Sequence, residues 1–134
     1  MQELQKVCKD YNITALYAFG SRAAEALRVL EEDACLLNPS ANDLDIGILT
    51  QEPRSIEDKV NLTLDLEKVF HTVHVDLCVL QEVDAFLAAN IIRGERLYTA
   101  DSYFVDEYEL FVLRRAGDLA ELERERMAMI LQQG

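Results

Sequence analysis

Residues 13–22, ITALYAFGSR, and residues 43–48, DLDIGI, decide how this chain is read. ITALYAF is a compact β-prone run that stops at Gly20, and it predicts a buried strand. Gly20 and Ser21 then open a segment rich in Ala, Leu and Glu, residues 22–32, with strong helix propensity. In DLDIGI the apolar Leu44, Ile46 and Ile48 alternate with Asp43, Asp45 and Gly47, the period of a strand with one apolar face. A strand, a small-residue turn, a helix and a second, acid-bearing strand follow one another.

Leu4, Val7, Cys8 and Tyr11 recur at helical spacing, so the chain opens with a helix ending near Asn12. Asn38-Pro39 is the strongest turn signal before Asp43. After Pro53, Ser55 is the expected N-cap of a helix reaching about Phe70. Ile56, Val60, Leu62, Leu64, Leu66, Val69 and Phe70 are expected to form its broad buried stripe. Residues 73–79 alternate Val73, Val75, Leu77 and Val79 with His74, Asp76 and Cys78, a third strand. A helix over about residues 82–92 is expected to stop at Gly94. A short edge strand follows at residues 96–98. From about Ser102 the chain reads as helix almost to its end, with Gly117 the one place for a bend. The fold class is therefore α/β (α+β), one domain over residues 1–134: a small mixed sheet flanked by helices, with a long C-terminal helix.

Composition narrows the function. The formal net charge of -12 sets a field that repels a phosphate backbone, so no broad nucleic-acid binding is expected. Cys8, Cys35 and Cys78 are widely spaced, without a CxxC pair, which fits a reducing compartment better than a disulfide framework or zinc knuckle. No apolar run approaches the roughly 20 residues that span a bilayer, and the first residues lack an apolar signal core. A cytoplasmic protein without a membrane role is the expectation.

The chemistry rests on three carboxylates and a turn. Asp43 and Asp45, two apart on a strand, leave the same face roughly 6–7 Å apart, opposite the Leu44/Ile46/Ile48 face. Such a pair suits Mg²⁺, singly or as two ions about 3.5–4 Å apart. Alone, a DxD is more often a solvated strand start. Asp76 interrupts an apolar run, where a charge needs a reason. It completes a three-carboxylate site if its strand neighbours the first; otherwise it is an exposed or ion-paired strand residue. Gly20 allows positive φ or close backbone approach, and helix-start amides with the Ser21 hydroxyl suit phosphate oxygens. There is no GxxxxGK[ST] and no GxGxxG. Arg22, Arg93 and Arg96 are the nearest candidates for phosphate contacts, although ordinary surface charge is the more common role for such residues. His74 shares the Asp76 face, Cys78 reads as a packing residue, and the C-terminal helix is either core with a solvated face or a docking surface.

Tyr17-Ala18-Phe19-Gly20-Ser21-Arg22, then Asp43-Leu44-Asp45-Ile46, Val75-Asp76-Leu77 and the stretch IIRGERLY at residues 91–98 resemble the minimal nucleotidyltransferase (MNT) domain of the polymerase-β-like superfamily. The resemblance spans residues 17–98, although the family usually places its DxD sooner after the Gly-Ser. It implies that Gly20, Ser21 and Arg22 bind the nucleotide and that Asp43, Asp45 and Asp76 are catalytic and bind two Mg²⁺ ions. It further implies an antitoxin that moves AMP from ATP to a HEPN-type RNase toxin, in a hetero-oligomer. The alternative is a binding-only antitoxin that neutralises its toxin without turnover. A small-molecule nucleotidyltransferase ranks third, for want of a further substrate domain.

Overall fold

The computed structural model describes residues 1–32, 43–72 and 74–133. Its elements in chain order are α1 (Gln2–Asp10), β1 (Ile13–Phe19), α2 (Ala23–Glu31), β2 (Leu44–Thr50), α3 (Ile56–Phe70), β3 (Val75–Val79), α4 (Ala85–Ile92), β4 (Glu95–Thr99) and α5 (Ser102–Gln133). The strands form one mixed sheet in the order β3-β2-β1-β4. β1 is antiparallel to both β2 and β4, while β2 and β3 run parallel. The parallel pair needs a crossover, and α3 supplies it.

Strand periodicity builds two cores on this sheet. Leu16 and Ala18 of β1 and Leu44, Ile46 and Ile48 of β2 pack with α1, α2 and α3 on one face. Ala15, Tyr17, Phe19 and Leu49 pack with α4 and the first half of α5 on the other. β1 is buried along its whole length because it is central and covered on both sides. β2 departs from the expected one-faced strand for the same reason: Leu49 is buried, and a Cβ at Gly47 would stand 2.5 Å from Ile91.

Several local readings hold. The Ser55 side chain accepts from the Asp58 amide at 3.1 Å and caps α3. α1 ends at Asp10, and the chain turns through Asn12 at φ 53° into β1. β4 is an edge strand.

Others are corrected. Ile56, Val60 and Leu64 are 81%, 52% and 51% exposed, so they do not belong to the buried stripe. At 3.6 residues per turn they stand about 135° around the helix from Leu62, Leu66, Val69 and Phe70. Leu80–Glu82 is a 3-10 turn, and α4 starts at Ala85 because Asp84 caps it. α5 runs through Gly117 without a break. The Asn38-Pro39 turn, Cys35 and Val73 lie outside the described residues.

Candidate active site

Three strand ends meet at one margin of the sheet. β1 reaches it with its C-terminus, and β2 and β3 reach it with their N-termini. Phe19 stands opposite Asp45 across the β1/β2 pair, and Asp45 stands opposite Asp76 across the β2/β3 pair. Asp43 lies just before β2 and is exposed, as is Asp76, while Asp45 is half-buried.

The turn after β1 is shaped around Asp45. Phe19 is extended, and Gly20 then turns at φ 74°, the left-handed region where glycine carries no steric penalty. A Cβ at Gly20 would stand 2.5 Å from Asp45 Oδ2. Glycine thus serves the turn and the close approach of backbone to carboxylate together. Gly20–Arg22 form a 3-10 turn that runs into α2, with Gly20 and Ser21 exposed at its head. Arg22 is 4% exposed, and its guanidinium lies 3.5 Å from Glu25.

Electrostatics tie the acids together. Burial pushes the Asp45 carboxyl above its ordinary range, with Asp76 and then Asp43 adding like-charge repulsion. The Cys78 thiol is pushed up by burial and by Asp76 and Asp45. Hard carboxylate oxygens around a half-buried acid are the donor chemistry of Mg²⁺. Among the described residues, no group of three or more His, Cys, Asp or Glu side chains is already gathered to hold a metal ion.

The three arginines part company. Arg96 is held by Asp106 at 2.8 Å and Glu109 at 2.9 Å, both on α5. Arg93 is exposed at the C-cap of α4. The His74 side chain is exposed, and its carbonyl accepts from the Leu44 amide at 2.9 Å.

Sequence reasoning missed two supports. The buried Tyr17 hydroxyl donates to Glu109 Oε2 at 2.8 Å, which anchors α5 to the strand that carries Gly20. Gly94, read only as a stop, sits where a Cβ would fall on the Ala18 carbonyl and 3.1 Å from Phe19 Cα. The α4–β4 turn therefore braces the end of β1. A glycine between a helix and a strand was the available signal.

The family model described as polymerase beta, nucleotidyltransferase matches residues 2–103. No curated protein sequence matches the chain. A chain in the structure of an MntA–HpeT toxin–antitoxin variant is similar at TM-score 0.65 and 19% identity, covering 96% of this chain and 93% of that one. A toxin–antitoxin structure with AMP-PNP gives 0.64 and 20%, covering 96% and 94%. The tri-AMPylated Shewanella oneidensis HEPN toxin in complex with MNT antitoxin gives 0.61 and 20%, covering 96% and 91%. At these identities the likeness is one of fold.

Proposed function

Since the chain belongs to the polymerase beta nucleotidyltransferase family, we propose that it is an antitoxin that transfers AMP from ATP to a hydroxyl of a HEPN-type toxin. The observation that carries this reading is the sheet register, in which Asp45 stands between Phe19, the residue before Gly20, and Asp76 on adjacent strands, with Gly20 close against Asp45. The similar structures support it in their own terms, since they concern toxin–antitoxin complexes, one with AMP-PNP and one with an AMPylated HEPN toxin.

Gly20 and Ser21, exposed at the head of a helix, offer amides and a hydroxyl to triphosphate oxygens. Asp43, Asp45 and Asp76 are the residues that would hold Mg²⁺, which offsets triphosphate charge and stabilises the departing pyrophosphate. In the transfer, the acceptor oxygen forms a bond to the α-phosphorus of ATP. The bond from that phosphorus to the bridging oxygen breaks, and pyrophosphate leaves. The hydroxyl proton passes to the Asp76 carboxylate, which is exposed on the strand furthest from Gly20. This chain and its HEPN-type partner form a hetero-oligomer in the cytoplasm. Among the described residues, no helix is long and apolar enough to cross a membrane.

Incubation with α-labelled ATP, Mg²⁺ and a HEPN-type toxin tests the reading. Label is expected on the partner, lost in Asp43→Ala and Asp45→Ala. Toxin neutralisation without label, surviving both substitutions, would replace transfer by simple binding. Full transfer in Asp76→Asn would remove Asp76 as proton acceptor.

A further inference from the structure

The exposed apolar row on α3 lies beside the strand that carries Asp76. Ile56, Val60 and Leu64 are spaced at i, i+4 and i+8 and face away from the core. With Lys59, Glu67 and Leu77 they line a groove of about 300 Å³ between α3 and β3. β3 is the end strand of the sheet and pairs with β2 alone among the described residues. The Val75 amide points off its outer edge and donates to Glu67 Oε2 at 3.1 Å. By the period of two, the Leu77 amide points the same way.

We propose that this groove and the outer edge of β3 receive an extended segment of the acceptor protein, which brings its hydroxyl residue to Asp76. The proposal rests on the adenylyl-transfer reading above. The order of the strands gives the direction of approach. Gly20 and Ser21 lie at the end of β1, on one side of Asp45, and Asp76 lies on the other side at the sheet margin. With nucleotide at the β1 end, the β3 margin is where an acceptor meets the carboxylates.

Side-chain alternation links the two features. Leu77 packs on the α3 side of the sheet, and its neighbour Asp76 points to the opposite face with Asp45. A strand laid along β3 alternates in the same way, so an apolar residue in the groove has its sequence neighbour on the carboxylate face. The segment that fits is extended, with an apolar residue next to its hydroxyl residue. A second copy of this chain fits poorly. It would bring two charges of -12 together and set two sets of carboxylates at one seam.

The test is steady-state transfer from α-labelled ATP to the HEPN-type partner by the parent chain and by Val60→Gln, Leu64→Gln and the double variant. All change side chains that are more than half exposed, and Gln is a good helix former. The double variant is expected to raise KM for the partner at least tenfold, with the KM for ATP and the melting temperature unchanged. Ile56→Ser gives the same readout from the far end of the groove. Partner KM values equal to the parent's in all variants would overturn the groove while leaving transfer intact. A parent chain that labels no protein would instead overturn the transfer reading, and the groove with it.

Discussion

Asp45 stands where its charge works against folding. Burial and the like charges of Asp76 and Asp43 raise its carboxyl above the ordinary value of 3.8. The sign follows from linkage: between that value and the raised one, the unfolded chain gives up its proton first, so stability falls as pH rises. Asp45→Asn is therefore expected to abolish transfer and yet melt higher than the parent at pH 7 in metal-free buffer. Water around this half-buried group keeps the gain within about 1 kcal/mol. The difference is expected to close as pH falls below 3.8, where the parent carboxyl is neutral in both states. Calorimetric melts across that range check it, and a variant less stable at pH 7 would refute it. Cys8 shows the opposite end of the scale. It is fully buried, and burial pushes its thiol from 9.0 to about 12. Since the thiolate is the nucleophile, Cys8 is expected to resist maleimide at pH 8 in the native state and react once the chain is unfolded, as peptide mass spectra would record. Its stabilising neutrality is present below pH 9 and is lost between 9 and about 12.

At the scale of elements, two glycines predict opposite outcomes of one substitution. Gly94 joins α4 to β4 with no room for a Cβ above Ala18 and Phe19, so Gly94→Ala must push backbone against backbone. A loss of about 1–3 kcal/mol is expected. Gly117 lies inside α5 with nothing within 4 Å of a new Cβ, so Gly117→Ala is expected to gain up to about 1 kcal/mol through helix propensity. Urea unfolding of the pair separates them, and equal effects would contradict the packing described. The same contrast explains what the sequence could reveal. The alternation in residues 44–48 and 75–79 and the Ser55 cap are local signals, so the strands and α3 were legible. α3's apolar residues read as one stripe because hydrophobicity alone does not say which side of a helix meets the sheet. The 3-10 turn at Leu80–Glu82 carries no sequence mark that separates it from helix, so the start of α4 at the Asp84 cap is not legible. The Asp45–Asp76 pairing is tertiary: the sequence placed both acids on strands, but only the parallel β2/β3 register sets them side by side. Arg96 was open to reading as a phosphate ligand because its partners, Asp106 and Glu109, lie on another element.

For the whole molecule, stability resides in the helix–sheet–helix layers, and the far half of α5 lies outside them. Val105, Val112 and Ala116 are buried against the α4 face, whereas Leu122, Met129 and Leu131 are 59%, 59% and 75% exposed. Beyond Gly117 the helix continues for about 24 Å at 1.5 Å per residue. Its internal ion pairs, Arg124 with Glu121 and Arg126 with Glu123, are exposed i,i+3 contacts that water and salt screen, so they add little. A helical end with no buried face adds little to the core that holds it, because most helix stability in proteins comes from packing. Removing residues 118–134 is therefore expected to shift the melting temperature by no more than about 2–4 °C, the equivalent of about 1 kcal/mol. ATP affinity is expected to stay unchanged, since Gly20, Asp45 and Asp76 lie at a sheet margin built without those residues. Thermal melts and ATP titration of the shortened chain measure both. A fall of 10 °C or more, roughly 3 kcal/mol or above, would mean that the far half of α5 carries folding free energy that its exposure denies.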